Sequence, residues 1–224
     1  MILNGFRNVL APANMRAGIP ILVFWTAIAF IVDLQTRVPA HYILRDPLAT
    51  ASYLFTKSKT DPTIGCCAAW LGWVSNLGSA LWFVAAGTCV LYLLATVDRH
   101  ETRVSRTFFA LALVLSTALG LDDLFMLHES VLVRLGVPEA ATYGAYVVLF
   151  AIYALAGWSF RNHLRAPFLA FALAALAASA YIDVVVQRKQ FWEDILKLAG
   201  IVYWTSFHAL LATDLLRTPR RSES

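Results

Sequence analysis

Residues 107–134 read TFFALALVLSTALGLDDLFMLHESVLVR. A helix that crosses a bilayer needs roughly 20 predominantly apolar residues, and this stretch exceeds that. Its first half, Thr107 to Leu121, holds no charged residue. The second half holds Asp122, Asp123, His128 and Glu129. A soluble amphipathic helix spreads its charges along one face from end to end. Here they are confined to one end, which is the pattern of a spanning helix whose far end carries a polar site.

Five other stretches have similar length and hydropathy: about 17–34, 66–96, 140–160, 166–187 and 193–216. The separators are Pro39 and Pro47, the polar run Asp98 to Arg106, Gly136-Val137-Pro138, Arg161 to Arg165, and Gln187 to Gln190. Composition agrees. Over 224 residues, 59% are hydrophobic and 14% charged, with a mean hydropathy of +0.65. A soluble domain keeps about 25% charged residues on its wetted surface. The expected fold is therefore an all-α integral membrane protein, a six-transmembrane-helix bundle forming a single transmembrane domain over 1–224.

Lys and Arg concentrate in cytoplasmic loops. With the N-terminus inside, the inner segments hold Arg7, Arg16, Arg99, Arg103, Arg106, Arg161, Arg165, Arg217, Arg220 and Arg221. The short outer loops hold only Arg134, Arg188 and Lys189. The expected topology is N-in/C-in, in a membrane such as the bacterial cytoplasmic (inner) membrane. The outer loop 35–65 is an amphipathic surface segment or an ordinary connection. Residues precede the 17–34 run and no small-residue cleavage site follows it, so it reads as a helix and not a signal peptide. Cys66, Cys67 and Cys89 form no disulfide framework and read as small apolar residues.

An Asp near the centre of a membrane helix costs on the order of 2.5–3.5 kcal/mol, so each one needs a reason. At 1.5 Å per residue, Asp122 lies about 22–24 Å from Arg106, in the outer third of the membrane. Asp183 reaches a similar depth, Glu193 and Asp194 open the last stretch on that side, and Asp33 ends the first one there. Asp122 and Glu129, seven apart, share a helix face. Glu193, Lys197, Gly200, Trp204 and His208 form one stripe. Ser75 and Ser79 share a face with Asn76 beside them, as do Ser179 and Asp183. These positions describe a polar seam opening to the periplasmic side.

Carboxylates with an imidazole suit a divalent ion, with zinc, manganese and calcium all compatible. Asp122, Asp123, His128 and Glu129 are the expected metal ligands. Asp183 and Glu193 are the expected catalytic groups, with Glu193 as base, and Asn76, Lys197 and His208 complete the seam. Lys197 is the natural countercharge to a carboxylate. Paired structural acids are the competing account of the same residues. There is no Walker A, GxGxxG, HExxH or GxSxG pattern, so nucleotide-driven, dinucleotide-dependent and common serine-hydrolase classes have no support. Nothing points to a nucleic-acid partner; the expected partners are membrane lipids and a lipid-like substrate.

The string Leu121-Asp122-Asp123-Leu124-Phe125-Met126-Leu127-His128-Glu129 resembles the signature of a group of uncharacterised bacterial inner-membrane proteins. In that group an Asp-Asp or Asp-Glu pair precedes His-Glu on one span, and a later span opens with acids, here Glu193-Asp194. The segment Ser75-Asn76-Leu77-Gly78 with Trp82 is similar to it as well. The likeness covers the last five stretches and implies no activity. More distantly, Trp73-Val74-Ser75-Asn76 and Phe207-His208-Ala209-Leu210 resemble the alkaline ceramidase and adiponectin-receptor superfamily of intramembrane zinc hydrolases. That superfamily has seven spans and a three-histidine zinc site. This chain has only His128 and His208 within its spans, so the resemblance implies hydrolase chemistry without that zinc site.

Three functions follow as expectations: a metal-dependent hydrolase acting on a lipid or amphiphile at the outer leaflet, a cation- or proton-coupled transporter or channel using the same carboxylates, and a non-catalytic subunit of a membrane complex.

Overall fold

The computed structural model describes residues 55–56, 73–97, 103–186 and 190–217. The expected span 17–34, and the outer loop 35–65 apart from Phe55 and Thr56, lie outside the described residues. The described part is helical, with no strand. Its long helices are α1 (Trp73–Ala95), α2 (Arg103–Phe125), α3 (Glu139–Gly157), α4 (Ala166–Tyr181) and α5 (Gln190–Arg217).

Four of these contain segments long and apolar enough to cross a membrane: Ser75–Ala95, Arg103–Phe125, Glu139–Phe160 and Trp192–Arg217. The α-helical part of α4 is shorter, at 16 residues, but it continues as a π-helix over Ile182–Val186. The protein is an integral membrane protein of helical build.

The expected span 107–134 is not one continuous helix. It stops at Phe125, because Met126 adopts the left-handed conformation (φ 50°, ψ 49°). A π-helical turn, Leu127–Val131, and a single α-turn, Leu132–Arg134, follow. That turn ends in a Schellman arrangement. The Val137 N–H donates to Leu132 O at 2.9 Å and the Gly136 N–H to Val133 O at 3.0 Å. Gly136 supplies the positive φ of 86° that this cap requires. Pro138 follows in an extended conformation and starts α3, whose first-turn Glu139 complements the helix dipole. The Gly-Val-Pro separator in the sequence is thus the physical cause of the reversal between α2 and α3.

The helix α5 is the centre of the described bundle. Its span window is 56% buried, against 11% for α3. It packs on α1 and on α4, and α1 packs in turn on α2. Gly200 allows the approach to α4, since a Cβ there would stand 2.6 Å from Leu176 Cγ. The Thr205 hydroxyl donates to Leu81 O at 3.1 Å and ties α5 to α1.

The core is aromatic: Trp82, Tyr92, Phe108, Phe109, Tyr153, Trp204 and Phe207 are fully or almost fully buried. Trp204 donates its indole N–H to Ser116 Oγ at 2.9 Å, so its polar edge is satisfied. At the opposite end from the Met126 break, Arg165 binds Asp214 at 2.8 Å. This joins the α3–α4 link to the last turns of α5. His163, in that link, is half-buried, and loss of hydration holds its imidazole below the usual range.

Candidate metal centre and its cavity

A cavity of about 490 Å³ lies where the ends of α2, α3, α4 and α5 meet. Asp122, Asp123, His128, Asp183, Glu193 and Lys197 all line it. Six of the nine residues singled out from the sequence therefore face one space, although they come from four segments. The volume is in the roughly 300–1,000 Å³ range of small-ligand sites.

Asp122 anchors the site. It is 3% exposed, and an ionised carboxylate so buried must be compensated by donors. His128 supplies two. Its backbone N–H donates to Oδ1 at 2.8 Å, and its ring is 2.8 Å from Oδ2 through Nδ1. The carboxylate can only accept, so Nδ1 carries the hydrogen, and in the neutral imidazole Nε2 is the acceptor nitrogen. The left-handed Met126 makes this possible, because it folds the chain so that the next turn presents both His128 donors back to Asp122. A non-glycine residue in that conformation stores about 1–3 kcal/mol, and such strain collects at functional sites.

His128, Glu139 and Asp183 each offer one ligand atom within 4.8 Å of the others. Since Nδ1 is held by Asp122, Nε2 is the nitrogen that would serve as the ligand. One nitrogen and two carboxylate oxygens form a set that a divalent ion of the manganese-to-zinc series accepts. A carboxylate behind the ligating imidazole is the usual support of such a ligand. Tyr143 completes the enclosure: its hydroxyl donates to Asp183 Oδ2 at 2.5 Å, and its ring meets His128 edge-on at 5.4 Å between centroids.

His128 and Asp183 lie in the two π-helical turns of the described residues, Leu127–Val131 and Ile182–Val186. π-Helix accounts for well under 1% of residues in globular proteins and is found mostly at functional sites. Two such turns that aim side chains at one point form a second geometric mark on the same place.

The remaining expected ligands are disposed differently. Asp123 is paired with Lys197 Nζ at 2.6 Å and accepts the Trp82 indole N–H at 2.9 Å. Asp122 stands behind His128 and not at the His128–Glu139–Asp183 point. The two adjacent acids thus have separate tasks. The Glu129 side chain lies outside the described residues. Lys197 is the countercharge that its stripe on α5 suggested. Glu193 lines the cavity while its backbone carbonyl accepts the Ser179 hydroxyl at 3.0 Å.

Two seam residues are elsewhere. Asn76 is exposed on α1 and does not line the cavity. His208 is fully buried in the aromatic core. Its Nδ1 is 2.8 Å from Trp204 O and its Nε2 is 3.0 Å from the Tyr153 hydroxyl. The carbonyl accepts, so Nδ1–H donates to it and Nε2 accepts from the tyrosine. Both nitrogens are spent, and His208 is a core histidine.

Sequence reading missed Glu139, Tyr143 and Tyr146. They lie at i, i+4 and i+7 of α3, on one face, and that polar stripe at the start of an apolar helix was a legible signal. Glu139 falls just before the expected boundary at 140, where an acid reads as an ordinary loop residue.

A helical membrane bundle with a buried carboxylate–histidine pair and an adjoining acid pair defines the class of this protein. The chain belongs to the family described as a domain of unknown function, DUF8692, which matches residues 18–211. No curated protein and no solved structure matches the chain.

Proposed function

We propose that this protein is a metal-dependent membrane hydrolase whose substrate is a lipid or another amphiphile. The observation that carries the reading is the convergence of His128, Glu139 and Asp183 within 4.8 Å, with His128 and Asp183 also lining the polar end of a cavity with apolar walls. His128, Glu139 and Asp183 would hold the ion, Asp122 would fix the His128 tautomer, and Tyr143 would orient Asp183. A divalent ion there acidifies water and polarises a carbonyl or phosphoryl oxygen. Glu193 takes the proton of the attacking water as its oxygen bonds to the scissile carbon or phosphorus. That proton then passes to the leaving oxygen of an ester or phosphoester, or to the leaving nitrogen of an amide, as the bond to it breaks. Lys197, held by Asp123, places positive charge beside the developing anion.

The floor of the cavity favours this reading over a conducting pore. Trp82 and Phe150 line the cavity, and both rings pack edge-on against Trp204 at 5.8 Å. Trp204 packs in turn on Tyr153 and His208. Among the described residues, this aromatic layer stands between the cavity carboxylates and Asp214.

We further propose six spans with both termini on the cytoplasmic side, supported by the ten-to-three distribution of Lys and Arg between the inner segments and the short outer loops, the long loop 35–65 left out of the count. The site then faces the outer leaflet of a cytoplasmic (inner) membrane. Elemental analysis of the purified protein, with hydrolysis of a panel of amphiphilic esters, amides and phosphoesters before and after chelation, tests the function. Stoichiometric zinc or manganese and chelator-sensitive turnover are expected. Failure to take up any divalent ion after incubation would sink the proposal.

A further inference from the structure

The cavity extends well past the candidate metal centre, and its far part has a different chemistry. On α3 the lining runs from Tyr143 and Tyr146 through Val147, Phe150 and Ala151 to Ala154. That is about 16 Å along the axis at 1.5 Å per residue. On α4 it runs from Leu173 through Leu176, Ala177 and Ala180 to Asp183. The two helices run in opposite directions, so the polar ends coincide at Tyr143 and Asp183, which are hydrogen-bonded. The apolar ends, Ala154 and Leu173, coincide at depth.

Alanine faces on membrane helices normally let the backbones approach closely. Here Ala151 and Ala154 on α3 and Ala177 and Ala180 on α4 border open space, and all four are exposed. The helices α3 and α4 do not pack on one another, although α4 packs closely on α5. Water filling this part would find no charged side chain on either wall below Asp183. Continuity of a polar end with an unpacked apolar slot selects a ligand that has both chemistries.

We infer that the slot between α3 and α4 binds one hydrocarbon chain of an amphiphile whose headgroup lies among Asp183, Glu193 and Lys197. This rests on the hydrolase reading for the headgroup end but stands separately for the chain. The small side chains of Ala151, Ala154, Ala177 and Ala180 make the room, and α3 is the wall beside which the chain enters. Its opposite face carries the exposed Ile152, suited to bulk lipid.

The test uses the full-length protein in lipid nanodiscs with a single-chain lysophospholipid that carries a photoreactive diazirine on its acyl chain. Crosslinks are mapped by mass spectrometry in the wild type, Ala151→Phe and Ala177→Phe, and metal content is measured in parallel. Both alanines are exposed, so the rings fill the slot without striking the helix core. Wild-type crosslinks are expected on the slot residues of α3 and α4. They should fall about tenfold in each variant, as a built-in clash excludes a ligand, while crosslinks at Ile152 persist. Crosslinks confined to the outward residues in the wild type, or slot crosslinks unchanged in both variants, would overturn the inference. Slot crosslinks in a protein that takes up no metal would retain the chain site and remove the hydrolase.

Discussion

Asp122→Asn and Asp123→Asn differ by one position and are equivalent on paper, yet the structure gives them opposite consequences. Asp122 accepts two hydrogen bonds from His128, one from the backbone N–H and one from Nδ1, both at 2.8 Å. An asparagine has one acceptor oxygen and one NH₂ group. If its oxygen keeps the backbone N–H, its NH₂ faces Nδ1, which must then accept. The imidazole hydrogen moves to Nε2, and the nitrogen needed by a metal loses its lone pair. Loss of a supporting carboxylate of this kind typically costs 10–100-fold in metal affinity, about 1.4–2.7 kcal/mol. Asp123→Asn instead weakens a contact with Lys197, whose side chain is 39% exposed. The Asp123 side chain is 10% exposed, but an asparagine keeps an acceptor oxygen for Lys197 and the imidazole is untouched. Metal affinity should therefore fall about 10–100-fold in Asp122→Asn and change by less than about twofold in Asp123→Asn. Competition titration of purified protein against a chromophoric zinc chelator measures both. Equal losses in the two variants, or full affinity in Asp122→Asn, would refute the tautomer argument.

Glu139→Ala removes one of three converging ligand atoms and should lower zinc affinity by about tenfold or more with little change in thermal stability, because Glu139 is exposed. Zinc titration paired with a melting curve in the presence of chelator checks this, and unchanged affinity would remove Glu139 from the set. His208→Ala should leave metal affinity intact and cost about 3 kcal/mol of stability, since it opens a hole in the aromatic core and strands the Tyr153 hydroxyl. A large drop in melting temperature with full metal stoichiometry is the expected pair of results. Gly200→Ala should destabilise by about 1–2 kcal/mol, the overpacking against Leu176 and Ala172 O exceeding the helix-propensity gain. A melting temperature equal to or above that of the wild type would show that Leu176 yields into the cavity.

The compartment and helical class were legible in the sequence because both depend on local composition. Thr107 to Leu121 has no charge and no place in water, whatever surrounds it. The gathering of Asp122, His128, Asp183, Glu193 and Lys197 was also legible, because a buried charge is costly enough that its depth in a span carries information. Helical phase could not place two residues, for one reason. Periods of 3.6 assume an unbroken α-helix, while Met126 interrupts it and the turns at Leu127–Val131 and Ile182–Val186 add residues per turn. Phase alone therefore could not aim His128 or Asp183.

By itself the sequence determined that the chain lies in a bilayer, roughly where the described helices fall, and that several of its acids collect at one end. Only tertiary structure decided which acids work together. It set Asp122 behind His128, Asp123 on Lys197, Glu139 beside Asp183, and His208 in the aromatic core. It also left the alanine faces of α3 and α4 apart. Partition into a membrane is a sum over residues, readable one stretch at a time. A ligand set and a cavity are relations between helices far apart in the chain, which exist only once the backbone has brought them together.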